Sequence, residues 1–206
     1  MKKRLTVNRT AAEFAVIFGL LCAVFTSFSH FNAVCDDLRS NVLRMHIIAN
    51  SDSGEDQNLK LKIRDRILSE TSLIFDEETD LNEAVKITKD KLPELEEIAN
   101  EVIKENGFNY TATAAVGDSY FETREYEDFT LPAGTYRSLI IRLGKAEGKN
   151  WWCVIFPGVC LPSASDSHLS DTVRDESAKV AEHPQKYVMR FKTVEIYEDL
   201  KKIIKK

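Results

Sequence analysis

The sequence predicts an α+β fold: an antiparallel sheet of about five strands with two or three long helices packed on it, behind an N-terminal signal or anchor segment. Three observations lead there. Residues 42–68 read as a strand, a polar turn and a long amphipathic helix; residues 80–105 repeat the helical period; and residues 110–156 change to short β-like runs separated by turn residues. A chain of 206 residues, 43% of them hydrophobic, suits one domain with a real core plus a leader.

The leader comes first. Lys2, Lys3, Arg4 and Arg9 form a basic start, and Phe14 to Phe28 is an unbroken run of apolar or small residues. That run has the length of a signal-peptide core and is short for a spanning helix. Ser27 and Ser29 place small residues at −3 and −1 of a cleavage after Ser29; Phe31-Asn32-Ala33 is a poorer site. Two readings stand, a cleaved signal peptide or a retained anchor over residues 14–28, and the expected layout is a leader over 1–33 and a single exported domain over 34–206. Basic residues ahead of the run keep the N-terminus in the cytoplasm, so the body faces outward. Net charge is −5, of which residues 1–29 contribute +3, leaving the exported part near −8. Such a balance disfavours nucleic acid as a partner.

The strand that follows, Val42 to Ile48, mixes apolar residues with Arg44 and His46. Asn50, Ser51, Asp52, Ser53 and Gly54 stop it. Ser53 with Asp56 three residues on is a capping-box spacing, with Asp in place of the usual Glu. Leu59, Ile63 and Ile67 then make the buried stripe of a helix. After an acidic linker at 75–80, Asp80 and Glu83 repeat the capping spacing, and a helical pattern runs to Glu105 with a kink or restart expected at Pro93. Asn106-Gly107 stops it. Tyr110 to Val116 is β-like and closed by Gly117-Asp118, Tyr120 to Tyr126 alternates, Tyr136 to Leu143 is a strong strand, Gly144 to Asn150 is a hairpin loop, and Trp151 to Phe156 is a buried strand. Residues 162–186 have no clear period and read as a mobile loop with room for a short helical turn. Val194 to Lys206 reads as a terminal helix, either docked on the body or serving a membrane surface or a partner.

Two stretches resemble a known family. The run from His46 through Asn50, Ser51, Asp52 and Ser53 to Asp56-Gln57, Leu59-Lys60 and Arg64-Asp65, and the block from Asn150 through Trp151-Trp152-Cys153 to Pro157 with Cys160, are similar to the two signatures of the stage II sporulation protein R family. This chain departs from the family pattern at Gly158, where a second proline is usual. The resemblance implies a secreted protein without catalytic activity, made in the forespore and exported to the space between the forespore and mother-cell membranes. There it triggers a membrane-embedded aspartic protease that processes the precursor of an early mother-cell sigma factor. It implies no cofactor, no metal and no small-molecule substrate.

The residues allow a narrower reading of sites. His46, Asn50, Ser51, Asp52 and Asp56 lie at a strand end beside a helix N-terminus, which offers free N–H groups and side-chain oxygens to a partner. Trp151 and Trp152 are adjacent in a strand, so one enters the core while the other reaches the opposite face, as a partner anchor or under covering helices. Together these residues are the expected partner-binding set. A rival reading, an extracytoplasmic cell-wall hydrolase, makes His46 a general base oriented by Asp52; catalytic motifs of the common nucleophile, zinc and phosphate-binding kinds are absent. Cys153 and Cys160 are an expected disulfide in an exported chain, with two buried thiols as the alternative.

Overall fold

The computed structural model describes residues 9–71, 80–126, 129–157 and 173–204. In chain order its elements are α1 (Arg9–Ser40), β1 (Leu43–Ile48), α2 (Gly54–Thr71), α3 (Leu81–Asp90), α4 (Leu92–Glu105), β2 (Ala112–Phe121), β3 (Arg124–Glu125), β4 (Thr130–Leu131), β5 (Gly134–Leu143), β6 (Asn150–Phe156), α5 (Asp175–Glu182), a single 3₁₀ turn (Pro184–Lys186) and α6 (Val188–Ile204). This is the expected α+β architecture behind an apolar N-terminal helix.

Local signals set the helix ends. Asp80 caps α3 by accepting the Glu83 N–H at 2.9 Å. The break between α3 and α4 falls at Lys91, so that Pro93 occupies the first turn of a new helix, where its missing N–H is not needed. Gly107 closes α4 with φ of +78°, a conformation that costs glycine little.

The sheet has four strands in the order β2-β5-β1-β6, and β3 and β4 form a separate two-stranded ladder. It is mixed, and here the structure corrects the all-antiparallel expectation. β1 pairs antiparallel with β6 but parallel with β5, with His46 opposite Ile140 on one side and Trp152 on the other. The physical reason is the connection: α2, α3, α4 and β2 all lie between β1 and β5, and so long a crossover can return the chain to the end it left. Gly117 and Asp118, expected to end a strand, sit inside β2, paired with Ser138 and Arg137.

Helices cover both faces, not one. Leu43, Met45 and Ile47 of β1 pack with Leu59, Ile63 and Ile67 of α2 and with Leu95, Ala99, Val102 and Ile103 of α4. On the opposite face Val154 and Tyr136 pack with Leu38 of α1 and Ala178 and Ala181 of α5. The outer edge of β2 is covered by α4: the Ala112 N–H donates to Asn100 Oδ1 at 2.7 Å and the Ala114 N–H to Glu96 Oε2 at 3.0 Å. Both backbone donors are thereby kept from pairing with another chain.

α1 has two unlike halves. From Phe14 to Phe25 its apolar side chains are exposed, whereas Phe31, Val34, Cys35 and Leu38 are buried in the body at helical spacing. The helix runs unbroken through the expected boundary at residues 33 and 34. A second difference lies in residues 162–186: of the described part, Asp175–Glu182 is helix α5, whose Ala178, Val180 and Ala181 are buried. The expected terminal helix also begins earlier, at Val188.

Candidate functional site

The turn after β1 is built around Asp56. Its carboxylate accepts from Ser51 Oγ at 2.5 Å, Asn50 Nδ2 at 2.9 Å and the Tyr110 hydroxyl at 2.5 Å. The Asp56 N–H donates to Ser53 Oγ at 3.2 Å, which is the expected cap. The reciprocal half of the capping box is replaced, since the Ser53 N–H donates to Ser51 Oγ. Asp56 is 5% exposed. Burial by itself would raise its pKa, but the hydrogen bonds from Ser51, Tyr110, Asn50 and Ser53 outweigh that and hold the carboxyl below its usual range.

The same turn grips the loop between β5 and β6. Asn50 Oδ1 accepts the Lys145 N–H at 3.0 Å, Asp52 Oδ1 accepts the Lys149 N–H at 2.7 Å, and the Gly148 N–H donates to Ala49 O at 2.9 Å. Lys60, 4% exposed, reaches over from α2 to donate to Lys149 O at 2.9 Å. Gly148 is required by proximity: a Cβ there would sit 2.3 Å from Ser51 O. Asp52 and Ser53 remain exposed at the rim of this clamp.

His46 and Trp152 lie elsewhere. They are register partners on neighbouring strands and stack, with ring centroids 5.1 Å apart and planes 7° from parallel. Phe121 meets both rings edge-on. Ser119 Oγ is 3.3 Å from His46 Nε2, and His46 Nδ1 has no hydrogen-bond partner among the described residues. Burial, then the positive charges of Arg142 and Arg44, depress the His46 pKa from 6.5 to about 4, so the ring is neutral at physiological pH. Nothing links it to Asp52, whose described side-chain contacts are Lys149 N–H and, at 3.5 Å, Gln57 Nε2. Deeper on that face Arg44 is fully buried. Its guanidinium lies 3.8 Å from the Phe121 ring centroid and 4.8 Å from that of Tyr136, and it donates to the Tyr126 hydroxyl at 2.7 Å. Its Nε and Nη1 have no partner among the described residues.

Trp151 is on the other face, against the α2–α4 core, with the Arg64 guanidinium 4.4 Å from its ring centroid. Both tryptophans are thus half-covered, one on each side of the sheet. Cys153 is buried on the Trp151 side; its expected partner Cys160 lies outside the described residues. The structure therefore gathers Asn50, Ser51, Asp52 and Asp56 into one cluster and leaves His46, Trp151 and Trp152 out of it. Sequence reading missed Tyr110, Lys60, Gly148 and Arg44. Gly144 and Gly148 bracketing a charged loop were the available signal for a close approach, and Arg44 shares the period-two face of His46.

A family model described as Stage II sporulation protein R matches residues 39–166. The Stage II sporulation protein R of Bacillus subtilis (strain 168) is 36% identical over 143 residues, which is 69% of this chain. That match spans 62% of the relative's own length. No solved structure matches.

Proposed function

The chain belongs to the stage II sporulation protein R family and so has a role in sporulation; on that premise we propose that it is an exported, non-catalytic signalling protein that switches on a membrane-embedded aspartic protease, which then processes the precursor of an early mother-cell sigma factor. The apolar half of α1 fits a signal or anchor segment for that export; the helix is long and apolar enough to cross a membrane by length and composition.

One observation carries the reading. The turn at the end of β1 is locked by Asp56 and the β5–β6 loop, and it presents the exposed Asp52 and Ser53 from a scaffold with little freedom. A rigid, pre-organised polar rim suits recognition of a partner, because little entropy is lost when it binds. The hydrolase alternative needs His46 held by Asp52, and the two side chains share no contact: His46 stacks on Trp152 while Asp52 holds the β5–β6 loop.

Asp52→Asn is the informative variant. It keeps an oxygen for the Lys149 N–H and removes the charge. The expected outcome is loss of sigma-factor precursor cleavage in sporulating cells with a melting temperature close to that of the parent. Full cleavage by a stably folded Asp52→Asn protein removes this turn from the contact surface. Hydrolysis of purified wall material by the parent protein rejects the signalling reading itself.

A further inference from the structure

The C-terminal helix lies outside the family-matched residues 39–166, and the signalling reading makes no use of it. α6 is apolar on two opposite sides. One side, Phe191 and Val194, is buried against Phe31, Val34 and Cys35 of α1. The other, Met189, Ile196, Leu200, Ile203 and Ile204, is exposed, from 54% at Ile196 and Leu200 to 84% at Ile204. A docked terminal helix needs only the first.

A flank between these two sides faces α1. Arg190, Thr193 and Tyr197, spaced i, i+3 and i+7, all point along α1 toward its exposed apolar half. Arg190 and Thr193 line a groove of about 390 Å³ with Leu20, Val24 and Phe28, and Tyr197 meets Phe28 edge-on at 5.5 Å. Of the acidic residues of α6, Glu198 is buried 4.0 Å from Arg39, and Asp199, itself exposed, accepts from the Tyr120 hydroxyl at 3.1 Å. So α6 lies across α1 at the point where the exposed apolar run ends and the buried run begins. The flank that carries Arg190, Thr193 and Tyr197 is turned to the Phe14–Phe25 side. Arg190 has no carboxylate partner among the described residues, and its guanidinium lies 5.8 Å from the Phe31 ring centroid and 5.7 Å from that of Tyr187; Lys201, Lys202, Lys205 and Lys206 follow at the C-terminal end.

We propose that α6 is an interfacial membrane helix. It lies on the outer surface of the bilayer beside the emerging α1, with Met189, Ile196, Leu200 and Ile204 dipping among the acyl chains and Arg190 meeting lipid phosphates. The occupant of its exposed face is anionic phospholipid. Two features select lipid over protein: the face is continuous, through the Arg190–Phe28 groove, with a helix segment apolar enough to span a bilayer, and a guanidinium with no carboxylate partner among the described residues stands at that junction. The proposal rests on the exported reading of the body. It gives the domain a fixed orientation, with the sheet held above the membrane surface.

The test uses the full chain reconstituted into vesicles of phosphatidylcholine and phosphatidylglycerol. A photoreactive benzoylphenylalanine replaces Leu200 in one preparation, Phe18 in a second and the exposed Lys104 in a third. The expected result is phospholipid adducts from positions 200 and 18 and not from 104, with the yield at 200 falling about threefold or more in vesicles lacking phosphatidylglycerol or on Arg190→Gln. Adducts at 18 without adducts at 200 overturn the proposal and leave the membrane role of α1 standing. Adducts at 200 without 18 overturn it as well, because they remove the membrane-embedded α1 beside which α6 is placed. Protein–protein adducts at 200 assign the face to a partner or a second copy and overturn the proposal, as does absence of adducts at both positions.

Discussion

Asp56→Ala removes the acceptor for three side chains at once, those of Ser51, Asn50 and Tyr110. A hydrogen bond to a charged group nets about 1.5–3 kcal/mol, but the three do not add, because the released Ser51 and Tyr110 hydroxyls regain water. A loss of about 4 kcal/mol follows from the same range. In a domain of this size each kcal/mol moves the melting temperature by about 2–4 °C, so a drop of about 10 °C is expected by thermal circular dichroism at neutral pH. The pH dependence has a fixed sign. The folded pKa of Asp56 is lowered from 3.8, so its contribution is fully present above that value and disappears as pH falls through the folded pKa. The gap in stability between parent and variant therefore closes on acidification below the ordinary carboxylate range. A shift at neutral pH under about 2 °C, or a gap that stays constant into strong acid, refutes the account of Asp56 as the hub of the turn.

His46→Phe keeps the stack on Trp152 and removes a buried base whose pKa falls from 6.5 to about 4, so the parent loses stability as pH drops from 6.5 toward 4 and the variant does not; parallel pH–melting curves count against this. Gly148→Ala puts a Cβ against the Ser51 carbonyl, displaces the β5–β6 loop with its Ala49 and Asp52 hydrogen bonds, and lowers stability by about 2 kcal/mol in denaturant titration; an unchanged midpoint counts against the clamp. Arg44→Met replaces a buried cation, two of whose nitrogens lack a partner among the described residues, by a shorter unbranched apolar chain, and its melting temperature is expected to equal or exceed the parent's; a large loss gives the weight to the contacts with Phe121 and Tyr136. Non-reducing mass spectrometry of the exported protein is expected to find Cys153 and Cys160 bridged, and two alkylated thiols reject the bridge.

The helices were legible because their signals are local. Asp80 with Glu83 and the restart before Pro93 each act within one turn, and the structure places them as read. Strand direction was not legible, because the pattern of Tyr136 to Leu143 is the same whichever way it pairs; the parallel contact with β1 is set by the helices in between. On the second face the sequence allowed no more than a short helical turn, because the residues of α5 fall in a stretch without period. The site divides in the same way. Asn50 through Asp56 came together as a turn because they are neighbours in sequence, whereas Tyr110 and Lys145 join them only through the folded sheet. His46 was grouped with them by proximity in sequence, yet its place in the strand sends its ring to the face of Trp152.

The position of β1 in the sheet also governs when the chain is able to fold. Both of its hydrogen-bonding neighbours, β5 and β6, come from residues 134–156, so the central strand of the sheet has no partner until roughly the last third of the chain is available. Closing so long a loop is slow, and a nascent chain carrying only α1, β1 and the first helices holds an unpaired apolar strand. On the exported reading proposed above, in which the chain is threaded across a membrane as an extended polymer, that delay would be useful. The segment passing first would have no stable structure to unwind, and the sheet would assemble only once its closing strands had emerged on the far side. A circular permutant that makes β5 and β6 precede β1 would fold sooner and, by the same reasoning, cross less readily.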